Sequence, residues 1–184
     1  MRIAALLLAA LTPAWPQATA QVALNKGTAP QAAQLKIAPQ TFRDLEKRFD
    51  SRMENLVPDP DDPAELLGNT RGVYVEDCGV VFTAEVSLVR ILELNPFRRE
   101  IPKELAERIH NRRVERLPLL EKAMDEMLHA MAMTFVQIPG NQRVVLAVRL
   151  LYSSWESTAG MPSQIMMTAT RAGVQTRDIK VEIQ

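Results

Sequence analysis

The chain has 184 residues, 47% hydrophobic and 24% charged, a balance that suits one folded domain and excludes a wholly disordered chain. Lys plus Arg equals Asp plus Glu at 22 each, so no global field recruits nucleic acid or an acidic lipid surface. One cysteine and two histidines exclude an internal disulfide framework and a Cys-rich zinc site, and leave most catalytic templates without their residues.

Met1 and Arg2 make a minimal basic start, Ile3 to Leu11 is an unbroken apolar run, and Pro13 ends it. Ala18-Thr19-Ala20 then has the small-x-small pattern that signal peptidase reads. The expectation is a signal peptide over residues 1–20, cut near Ala20 and before Gln21, and a periplasmic or secreted mature chain. The apolar run falls short of the ~20 residues a bilayer-spanning helix needs. Losing Arg2 with the leader leaves one more acid than base. A lipoprotein signal places a cysteine immediately after the cut, and the sole cysteine is Cys78, so no lipid anchor is expected.

Residues 21–40 are rich in Ala and Gln, hold Pro30 and Pro39, and show no sustained apolar period, which predicts a flexible leader. Residues 41–184 form the expected single domain. Thr41 can cap a helix over 42–56, where Phe42, Leu45, Phe49, Met53 and Leu56 recur at three- and four-residue steps. The Pro58–Pro63 segment must be a loop, because three prolines remove donors and fix φ, and Ala64 to Leu67 is expected to close it with one helical turn.

Beyond Gly68 the period changes to two. Gly72 to Glu76 and Val80 to Leu88 read as a β-hairpin turned by Asp77-Cys78-Gly79, with Phe82, Ala84, Val86 and Leu88 on one face. The helical period returns at Pro102 and lasts to about Val136, with a kink or a split expected at Pro118. The half after Pro118 carries the apolar stripe Leu120, Met124, Met127, Leu128, Met131 and Phe135, and is expected to be the more deeply buried half. Arg143–Tyr152 is apolar on both faces, as a central strand should be. Gln164–Thr170 and the Ile179/Val181/Ile183 alternation supply two more strands, the last at an edge. The expected fold is α+β: an antiparallel sheet of four to five strands, with the long kinked helix and the N-terminal helix packed on one face.

The run Arg71-Gly72-Val73-Tyr74-Val75-Glu76-Asp77-Cys78-Gly79-Val80-Val81-Phe82-Thr83, with Leu117-Pro118-Leu119 and Trp155-Glu156, resembles exported bacterial proteins of unknown function found in environmental bacteria such as acidobacteria. The resemblance spans most of the mature chain and implies no activity. Its pattern has glycine and tyrosine where this chain carries Asp77 and Cys78.

Five groups of residues come into question for chemistry. Cys78, in an exposed turn, is a candidate reactive thiol for pairing with another chain or a small thiol; only His110 and His129 are available as bases, both on another element. Met124, Met127 and Met131 share a helical face with thioethers suited to Cu(I), and His129 lies about a quarter-turn or more off that stripe, but the same face is the one the helix must bury. Arg108, Arg112 and Arg116 recur every four residues, near Arg98, Arg99 and Arg113, and can line one helix edge as a binding stripe, although Glu104, Glu107 and Glu115 interleave with them. Arg112 and Arg116 fall on the Leu105/Ile109 side, a conflict with simple amphipathicity that suggests a partner surface or an internal ion pair. Asp59, Asp61, Asp62 and Glu65 lack the spacing of an EF-hand, and Tyr74, Tyr152 and Trp155 read as packed rings or a binding patch.

The expectation is thus an exported, non-enzymatic binding or assembly module that uses the outer sheet face and the arginine edge, with no cofactor. The partner expected is another envelope or secreted protein, with a homodimer open beside it, and neither nucleic acid nor a transmembrane helix. Soft-metal handling with copper on the methionines is the alternative. A small hydrolase built from carboxylates is the third.

Overall fold

The structure, a computed structural model, describes residues 36–58, 63–91 and 101–184. The proposed signal peptide, most of the leader, the aspartates of the proline-rich loop, and Arg98 and Arg99 lie outside the described residues. The chain is α+β, with element order α1 (Pro39–Glu54), β1 (Glu65–Leu66), β2 (Arg71–Val75), β3 (Gly79–Ser87), α2 (Lys103–Thr134), β4 (Arg143–Leu150), β5 (Gln164–Thr170) and β6 (Lys180–Ile183).

Helix α1 begins ahead of Thr41, because Pro39 occupies the first turn, where its fixed φ suits a helix and its missing N–H is not needed. The residue before it, Ala38, makes no side-chain cap; its carbonyl accepts from Thr41 N at 3.0 Å. Two residues expected in the leader therefore belong to the first helix. The segment expected to make a helical turn is instead the short strand β1, where Glu65 pairs with Ser87 and Leu66 with Val86. Tertiary pairing to β3 outweighs local helix preference there.

The sheet runs β1-β3-β4-β5-β6, with β2 also paired to β3. Every pair is antiparallel, as expected, except the central one: β3 and β4 are parallel over eight residues, from Gly79 opposite Arg143 to Val86 opposite Leu150. The 32-residue α2 makes this possible, since it carries the chain back along the sheet between the two strands. Pro118 does not split α2. It withdraws the donor that would have met the carbonyl of Val114, and Val114 is solvent-exposed, where water can serve that carbonyl.

Both helices pack on one face of the sheet. Val80, Phe82, Ala84 and Val86 of β3, Val144, Leu146, Val148 and Leu150 of β4, and Ile165, Met167 and Ala169 of β5 are all buried there, together with Leu45, Phe49 and Met53 of α1 and Leu120, Met124, Leu128 and Met131 of α2. Three rings tie the layers: Phe42 of α1 lies 5.0 Å from Phe135, which follows α2, and 5.9 Å from Phe82 of β3. Gly72 leaves room for them, because a Cβ there would lie 2.5 Å from the Phe82 ring. At the hairpin, Asp77 and Gly79 take positive φ, and a Cβ on Gly79 would sit 1.9 Å from the Arg143 carbonyl. Glycine at 79 thus lets the start of β3 touch the start of β4.

Candidate functional site

The line of α2 that faces inward in its first half is Ile109, Arg113, Arg116 and Leu120. The arginine stripe expected from the sequence therefore divides: Arg108 and Arg112 are solvent-exposed, while Arg116 is buried and donates to the Leu88 carbonyl at 2.7 Å. Among the described residues the most deeply buried cation is Arg113, which lies beside the expected stripe rather than in it.

The side chain of Arg113 is 1% exposed and that of its ion-pair partner Glu156 is 3% exposed. Arg113 Nη2 donates to Glu156 Oε1 at 2.9 Å. The second arm, Nε facing Oε2, is close but off the hydrogen-bonding angle, so it acts as charge rather than as a directed bond. The remaining guanidinium donors reach the Leu151 carbonyl and Ser87 Oγ, each at 3.3 Å, and the group lies over the Tyr152 ring, 5.0 Å from its centroid. Glu156 Oε1 also accepts from Ser153 N at 2.7 Å. Tyr152 donates its hydroxyl to the Pro162 carbonyl at 2.6 Å, and burial raises its pKa above the ordinary 10.0, with Arg113 opposing the rise and Glu156 adding to it. One buried charge pair therefore stitches the first half of α2 to the carboxyl ends of both parallel strands and to the loop after β4.

Beside it lies a pocket of about 330 Å³ bordered by Glu65, Ser87, Arg113, Tyr152 and Ser153. The carboxyl ends of parallel strands are where open sheets with parallel pairs usually hold ligands. Here the guanidinium that would recognise an anion is already committed to Glu156, and the rest of the lining is largely aliphatic, with Leu67, Val89, Ile91 and Leu151 beside the one ring of Tyr152.

The other face of the sheet carries a second depression of about 510 Å³, whose lining includes Arg71, Thr83, Glu85, Ala147, Arg149 and Gln164. These residues follow from the registers: Thr83 stands between Arg71 and Ala147, and Glu85 stands beside Arg149. The Glu85–Arg149 pair is open to solvent at 3.5 Å, so its net energy is small.

Met124, Met127 and Met131 are buried in the core, with thioethers against apolar neighbours. His129 lies on a different side of α2, with Nδ1 against the Asp125 carbonyl at 2.9 Å. Among the described residues no group of three or more His, Cys, Asp or Glu side chains is gathered. Cys78 is half-buried in the hairpin turn, with its carbonyl accepting from Arg143 N at the amino end of β4. His110 contacts the Ser157 carbonyl, in the loop beyond the carboxyl end of β4, so the structure does not bring it to the thiol. Tyr74 donates to Gln142 at 3.3 Å, and Trp155 is half-buried. Among the described residues no helix is long and apolar enough to cross a membrane. No family model, curated protein or solved structure matches the chain.

Proposed function

We propose that this is an exported, non-enzymatic binding or assembly module, periplasmic or secreted after removal of residues 1–20, which meets another envelope or secreted protein through the uncovered face of its sheet. The observation that carries the reading is the asymmetry of that sheet. One face is sealed under two helices; on the other, Thr83, Glu85, Ala147 and Arg149 are half-buried or exposed with no described element over them. The polar groups with the strongest chemistry, Arg113 and Glu156, are spent on each other inside the fold. Arg71, Glu85 and Arg149 alternate in sign around small side chains, a pattern that suits a protein surface better than a polyanion.

The test is photo-crosslinking in producing cells, with benzoylphenylalanine placed at Thr83 or Ala147 on the open face, or at Arg48 on α1. The reading predicts one adduct of common mass from Thr83 and Ala147 and none from Arg48. Adducts from all three positions, or from none, contradict it. Mass spectrometry of the envelope-fraction chain is expected to find Gln21 at its amino terminus; an intact Met1 start contradicts export by signal cleavage.

A further inference from the structure

The two edges of the sheet are finished differently. At the β2 edge, side chains of α1 occupy the outward backbone donors: Glu46 Oε1 accepts from Gly72 N and Asp50 Oδ1 accepts from Thr70 N, both at 2.9 Å. At the β6 edge no described element does this. Gln184 and Gln164 exchange both of their backbone bonds. The antiparallel alternation therefore turns the N–H and C=O of Glu182 and Lys180 toward β5, and those of Ile183, Val181 and Ile179 away from it. The same outward-bonding residues carry apolar side chains on the helix side of the sheet, with Val181 47% and Ile183 60% exposed. A free edge with exposed apolar side chains is a template for another strand.

We propose that the β6 edge pairs with β6 of a second copy of this chain, antiparallel across a two-fold axis at Val181. This goes beyond the open-face reading and does not depend on it. The charges select the register. With Val181 opposite Val181 of the other copy, Lys180 of each chain faces Glu182 of the other on the open side, and Ile183 faces Ile179 on the helix side. Moving the axis by one residue sets Lys180 against Lys180 or Glu182 against Glu182, which repels. Moving it by half a residue opposes outward groups to inward ones and forfeits the ladder. In the single chain Lys180 and Glu182 pair with each other at 2.6 Å, so the same two charges satisfy either state. Pairing joins the two sheets into one, keeps all helices on one face, and continues the apolar layer past β5.

The test uses the purified mature chain. In a Cys78→Ser background, Val181→Cys is expected to oxidise to a covalent dimer, since Cα atoms of a hydrogen-bonded antiparallel pair lie ~5.5 Å apart, within disulfide reach. Ile183→Cys alone is expected to form no disulfide, since its partner position is Ile179, and a mixture of Ile183→Cys and Ile179→Cys chains to crosslink. Sedimentation is expected to show dimer affinity about tenfold weaker for Glu182→Lys, from two repelling pairs, and restored in Lys180→Glu/Glu182→Lys, with equal melting temperatures. A wild-type chain that sediments only as monomer, crosslinking of Ile183→Cys as fast as Val181→Cys, or a charge swap that restores nothing overturns the proposal.

Discussion

Replacing Arg113 by Met keeps the length of the side chain and removes the guanidinium, so Glu156, its side chain 3% exposed, is left with a buried carboxylate and the Ser153 N–H. Breaking a buried pair by deleting one partner costs about 3–5 kcal/mol, a large part of a domain stability of about 5–15 kcal/mol. At roughly 2–4 °C per kcal/mol for a chain of this size, Arg113→Met is expected to lower the melting temperature by about 6–20 °C. Arg113→Met/Glu156→Leu removes both charges and is expected to recover most of that loss, because the cost lies in the orphaned charge rather than in the missing contact. Urea unfolding of the wild type, both single variants and the double variant closes the cycle. A loss below about 1 kcal/mol in Arg113→Met, or a coupling energy below about 0.5 kcal/mol, refutes the reasoning and places this pair in contact with water.

Three further outcomes follow from the same geometry. Because burial raises the Tyr152 pKa, its contribution to stability is complete below pH 10.0 and is lost as pH rises through the folded value; the phenolate absorbance that Tyr152→Phe removes is expected to develop above pH 10.0, and a removed step centred at or below pH 10.0 contradicts the burial. Under mild peroxide, peptide mass spectrometry is expected to find Met133, 64% exposed, oxidised well before Met124, Met127 and Met131, and equal rates would remove the proposed interior. Gly79→Ala is expected to destabilise the fold by about 1–3 kcal/mol or more, since a Cβ meets the Arg143 carbonyl at a positive φ, whereas Gly68→Ala, with open space around it, carries only the φ penalty; equal urea midpoints for the two variants contradict the close approach of β3 and β4.

Periodicity carried most of the fold. The apolar steps of Leu45, Phe49 and Met53, and of Leu120 to Met131, named the buried helix faces, and the alternation in Val80–Leu88 and Arg143–Leu150 named the strands. The parallel β3–β4 pair escaped because pairing direction is not written in the alternation; the signal was the long helix between two strands, with the second strand apolar on both faces. Pro39 and Gln40 fall in a stretch with no apolar period, which hides the helix start; Pro39 is itself the signal, since at a first turn a proline starts a helix.

At the candidate sites the arginines mislead by spacing. Steps of four through 108, 112 and 116 drift around the helix, and the inward line passes instead through Ile109, Arg113 and Arg116. Arg113 could have been found from that line, as the basic residue four positions after Ile109. Glu156, 43 residues away in sequence, could not, because only the fold brings it there.

The central claim is that β4 turns one face into a sealed interior and the other toward a partner, and paired thiol labelling tests it most directly. In the Cys78→Ser background, Ala147→Cys and Val148→Cys are adjacent positions on opposite faces. The account predicts rapid maleimide labelling of Ala147→Cys and protection of Val148→Cys in the purified folded chain, with Ala147→Cys becoming protected in the envelope of producing cells. Equal labelling of both in the purified chain, or an Ala147→Cys that labels in cells as fast as in solution, would contradict it.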